Sequence, residues 1–100
     1  MDYKRILREA FERRPESTAG MYMCAARVYV EIFDKEHLKG VEAAAKSLGI
    51  LFQRKPHYGL SPALYIGLDN GTGAEYGKGM AVATALRAAG IKAHVEAGEN

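Results

Sequence analysis

Residues 65–86 read YIGLDNGTGAEYGKGMAVATAL: an alternating apolar run, a glycine-rich turn, then a second apolar run with helical spacing. A turn that feeds a helix N-terminus presents backbone N–H groups and a positive dipole end, so a phosphate or nucleotide site with Lys78 as its cation is the first possibility to test. Counting positions removes the known motifs. A phosphate-binding loop ending in Gly77-Lys78 needs glycine where Thr72 stands and Ser or Thr where Gly79 stands. A dinucleotide fingerprint starting at Gly71 and Gly73 needs its third glycine where Tyr76 stands. Asp69 and Glu75 also put negative charge where a phosphate would sit. What remains is structural. Thr72 and Glu75 have the spacing of a capping box, which places the helix start there. Gly79, Val82, Ala83, Leu86 and Gly90 form its inner face, with small residues that let the backbone approach a sheet.

Working outward, Leu64, Ile66 and Leu68 alternate with Ala63, Tyr65 and Gly67 as a strand before the turn. Ile91, Ala93, Val95 and Ala97 alternate as a strand after the helix. Further upstream, Val28, Val30 and Ile32 point one way and Arg27, Tyr29 and Glu31 the other. Tyr22 and Cys24 extend that phase toward Gly20. Ala19, Met21, Met23 and Ala25 suit a helix equally, in which case the strand shortens to about Arg27 to Phe33. Asp34 is placed to cap a helix with inner face Leu38, Val41, Ala45 and Leu48, ended by Gly49. ILFQRK follows as a short strand closed by Pro56, and KPHYGLSP reads as a turn.

At the start of the chain, Tyr3, Ile6, Leu7, Ala10 and Phe11 fall on one helical face, with charged residues elsewhere. Pro15 stops this helix at Arg14. Each large side chain in the stripe gains about 1.5–3 kcal/mol on burial, so the helix must dock somewhere. The expected place is the uncovered face or an edge of the sheet, or the same surface of another protomer.

After the N-terminal helix the order is strand, helix, strand, strand, helix, strand. It resembles the ferredoxin-like superfold over roughly residues 20–97, by element order alone. The resemblance implies an α+β domain in which two helices cover one face of a four-stranded antiparallel sheet. The strands containing Val30 and Ile66 would then be central neighbours, with ILFQRK and IKAHVEA outside. Arg54, Lys55, Lys92 and Glu96 on the outer strands would discourage edge pairing.

The bulk numbers bound the function. The 100 residues, 48% of them apolar, suit a single domain, 1–100, with residues 1–14 as its N-terminal helix. A formal net charge of +2 is too small to imply a polyanionic partner by itself. Cys24 is the only cysteine, which excludes an internal disulfide and favours a reducing, cytoplasmic setting. Neither a signal-peptide core nor a bilayer-spanning run is read in the chain, so no membrane partner is expected.

Catalytic chemistry finds little purchase. No two of His37, His57 and His94 share the i, i+4 spacing of a helical zinc site, and Cys24 takes the inward phase of its strand. No pair of carboxylates is placed as acid and base, so no catalytic residue, metal or cofactor is expected. The uncovered sheet face carries more information. Arg27, Tyr29, Glu31, Tyr65, Lys92, His94 and Glu96 are expected there, and aromatics on the two central strands are where RNA-recognition domains of this superfold stack bases. SPALYIGLD lacks that family's second motif, and Glu31 and Glu96 oppose phosphate. Two macromolecular surfaces therefore stand out: Arg27, Tyr29, Tyr65 and Lys92 on the sheet, and Arg5, Arg8 and Arg13 on the N-terminal helix. The expected function is a non-enzymatic interaction domain that binds another protein or complex. Small phage-encoded inhibitors of bacterial defence, including some anti-CRISPR proteins, look like this chain in size and include ferredoxin-like members. Single-stranded nucleic acid on the sheet face is the alternative, with a phosphate ligand at the glycine-rich turn behind it. Tyr29, Phe33 and Tyr65 could equally join two copies as a homodimer.

Overall fold

A computed structural model describes residues 1–13, 27–54, 61–68 and 73–98. Helix α1 spans Tyr3–Glu12, strand β1 Arg27–Ile32, helix α2 Lys35–Leu48, and strands β2 and β3 Phe52–Gln53 and Ala63–Leu68. Helix α3 spans Ala74–Ala88 and strand β4 Ala93–Gly98. The strands form one four-stranded antiparallel sheet in the order β2-β3-β1-β4. That is the order of a ferredoxin-like βαββαβ unit preceded by a helix, and β1 and β3 are its central neighbours. β2 is shorter than ILFQRK, and the turn at 55–60 lies outside the described residues, as does the disputed stretch before Arg27.

One face of the sheet is closed by helices. Val28, Val30, Leu64, Ile66 and Val95 meet Val41, Ala45, Val82, Ala83 and Leu86 in a single buried cluster. Gly79 marks a close approach of α3 to the sheet. A Cβ added there would stand 2.8 Å from Val95 Cγ2 and 3.1 Å from Val28 Cγ1, so only glycine lets α3 lie this near the strands.

Both internal helices end in the same way. Gly49 and Gly90 take left-handed backbone (φ 74° and 87°), and the residues after them, Ile50 and Ile91, donate back to the Ala45 and Leu86 carbonyls at 2.8 and 2.9 Å. This is the Schellman closure, which satisfies helix-end carbonyls and turns an apolar residue back toward the core. Gly90 is therefore an exposed stop and does not belong to the inner face of α3.

The start of α3 also differs from expectation. Its N-cap is Gly73, at φ 78°, so the helix starts one residue later than the spacing of Thr72 and Glu75 predicts and Glu75 is its second residue. Glu75 instead lies over β3: a Cβ on Gly67 would come 2.5 Å from its Oε2. Thr72 and Asp69 lie outside the described residues.

The largest correction concerns α1. It packs against α2 and α3, on the helical layer, and not on the uncovered sheet face or an edge. Leu7 and Ala10 are fully buried there, and Ile6 and Phe11 pack around them. The Tyr3 ring lies directly on the backbone of Gly40, where any Cβ would collide with it. Tyr3 Oη also stands 2.7 Å from His37 Nδ1. The apolar stripe of α1 thus finds its partner in two helices that the same chain supplies.

Candidate functional site

With α1 packed on α2 and α3, it does not cover the opposite sheet face. The register defines its rows. Tyr29 stands between Tyr65 of β3 and Glu96 of β4, while Glu31 stands between Ala63 and His94. The rings of Tyr29 and Tyr65 meet at 5.4 Å between centroids, inclined by 60°, a favourable tilted aromatic pair.

A β-bulge changes what this face carries. Between Val28 and Tyr29 the partner on β3 steps from Gly67 to Tyr65, so Ile66 and Gly67 both face the helices. Leu68 then pairs with Arg27 and joins the opposite face, although simple alternation places it with Ile66. Leu51 is accepted into the sheet through its carbonyl, 2.9 Å from the Tyr65 amide. It precedes Phe52, which packs on the core, and so takes the other phase. Phe33 continues β1 beyond Ile32, with its ring 6.4 Å from that of His94.

These three side chains are strongly exposed: Phe33 by 50%, Leu51 by 53% and Leu68 by 58%. Around them lie groups of both signs. Arg27 is half-buried, Lys92 is exposed, and His94 Nε2 stands 3.1 Å from Glu96 Oε1. At the centre the face is closed: Tyr29 is only 3% exposed, and Tyr65 is half-buried. Glu31 is buried too, and its Oε2 accepts from the Ser61 amide at 3.0 Å, which gives the buried carboxylate a structural task. Sequence reasoning missed Leu51 and Leu68 as surface groups. Gly67 inside a strand was the available signal, since interior glycines mark bulges.

The other expected residues separate from this face. Arg5, Arg8 and Arg13 are exposed on the outer side of α1, across the helical layer from the sheet, and Arg5 pairs with Glu9 at 3.1 Å. Such an exposed pair adds little to stability. Lys78 points its Nζ at the Phe11 ring, 5.5 Å from the centroid, and so contributes to the α1–α3 contact. Among the described residues no helix is long and apolar enough to cross a membrane.

One ion pair stands at the α2–β2 junction. Arg54 donates through both Nε and Nη2 to the Glu42 carboxylate at 2.7 Å, and that bidentate hydrogen bond holds the Glu42 carboxyl below its usual range. No protein-family model, curated protein or solved structure matches the chain.

Proposed function

We propose that the chain is a non-enzymatic interaction domain that binds another protein through the sheet face opposite its helices. The observation that carries this is the exposure of Phe33, Leu51 and Leu68 around the Tyr29–Tyr65 pair. Large apolar side chains exposed on one sheet face, with charged groups beside them, are a feature of protein-binding surfaces. The rim favours a protein over a nucleic acid. Glu96 would repel phosphates, and Tyr29 is buried, which leaves no pair of free aromatic rings on the central strands for base stacking. Inhibition of a larger complex, by occupying one of its surfaces, is one form such binding would take.

The test is co-purification with the tagged chain from its native setting, in parallel with Leu51→Asp/Leu68→Asp and with Arg5→Glu/Arg8→Glu. A partner retained by the arginine variant and lost by the leucine variant supports the sheet face. Loss with the arginine variant alone moves the site to α1. Single-stranded oligonucleotide binding that weakens with salt and with Tyr65→Ala would support the nucleic-acid reading instead.

A further inference from the structure

At the opposite end of β1 from Arg27, the chain turns into α2 through Asp34, Lys35, Glu36 and His37. Ligand atoms of Asp34, Glu36 and His37 all lie within 4.8 Å of one another. We propose that these three side chains form a site for a divalent transition-metal ion of the zinc type, with Tyr3 as a positioning residue from α1.

The imidazole decides the chemistry. His37 Nδ1 is engaged by Tyr3 Oη at 2.7 Å, so Nε2 is the nitrogen turned toward the Asp34 carboxylate, 3.8 Å from Oδ2. That distance is too long for a hydrogen bond. It is close to the span of two ligands on one tetrahedral ion, since atoms bound at about 2.0–2.2 Å stand about 3.3–3.6 Å apart. Metal-binding histidines donate their other ring N–H to an oxygen acceptor; Tyr3 Oη is placed to accept from Nδ1–H in this way, and the metal-bound form uses that tautomer, with the lone pair on Nε2.

Asp34 is available for the same role. It occupies the N-cap position of α2 yet makes no side-chain cap hydrogen bond, so its oxygens are not spent on the helix. The Asp34 and His37 side chains are only 17% and 15% exposed, which limits the motion that an ion would have to arrest. The helix start contributes roughly half a positive charge, and two carboxylates outweigh it. One nitrogen and two carboxylate ligands suit zinc and its neighbours better than magnesium or calcium, which prefer oxygen alone. Three protein ligands would leave a fourth position for water.

The experiment titrates the full chain with zinc chloride and follows the imidazole nitrogens by NMR. One equivalent should saturate the protein and shift His37 Nε2, while His37 Nδ1 stays protonated and His57 and His94 stay unmoved. His37→Ala should abolish binding. Tyr3→Phe keeps the ring on Gly40 and removes only the hydroxyl, and should weaken binding by about 10- to 100-fold. The proposal is overturned if binding does not saturate, if the shift falls on His57 or His94, or if Asp34→Asn binds as tightly as the unaltered chain. Because the nitrogen shifts are read on the unaltered protein, a variant that fails to fold does not obscure the result.

Discussion

The two faces of the sheet are built from the same strands and treat apolar side chains in opposite ways. On the helical side Val28, Val30 and Leu64 are completely buried and even a glycine Cβ has no room, whereas on the other side Phe33, Leu51 and Leu68 are half or more exposed. Under the proposed function, this contrast marks the boundary between the residues that fold the chain and those that bind. Folding needs the first face, and nothing about the helices needs the apolar groups on the second. Substitutions on the two faces should therefore separate stability from binding.

The largest loss of stability is expected from Leu7→Ala. This side chain joins α1 to the core, and truncation of a fully buried leucine should cost about 2–5 kcal/mol, read as a lower urea midpoint. Gly79→Val comes next. Its added methyl groups meet Val95 and Val28, and overpacking of this kind should cost about 1–3 kcal/mol in the same measurement. Arg54→Ala should have the smallest effect, with a distinctive pH dependence. Because Arg54 lowers the Glu42 pKa in the folded chain, its contribution is present above the ordinary glutamate range and fades as pH falls through the lowered value. Unfolding midpoints of Arg54→Ala and the unaltered chain should therefore differ at neutral pH and converge in acid.

The sequence made the covered face more legible than the open one, for physical reasons. Period-two runs around Val30, Ile66 and Val95 and the left-handed glycine after α2 are local signals, and the element order followed from them. The position of α1 was not local. Its stripe showed that it must be buried, but any apolar surface would satisfy that, and the small Gly40 that receives Tyr3 gave only a faint sign. Leu68 was misread because one residue of bulge reverses every later side chain on a strand. Asp34 was read correctly as the start of α2, but its carboxylate faces His37 in place of capping the helix. Glu31 lies on the open face as its phase predicts, but it is buried there, and its bond from the Ser61 amide, thirty residues away, carries no local sequence signal.

The central claim is that the open face binds a protein and the helical face holds the fold. Leu51→Asp/Leu68→Asp tests it most directly, through its unfolding midpoint and its affinity for the partner recovered with the unaltered chain. Both residues are exposed, so each substitution should change stability by no more than about 0.5 kcal/mol, while affinity falls at least tenfold. A double variant that keeps full affinity, or loses it only by unfolding, would contradict the claim.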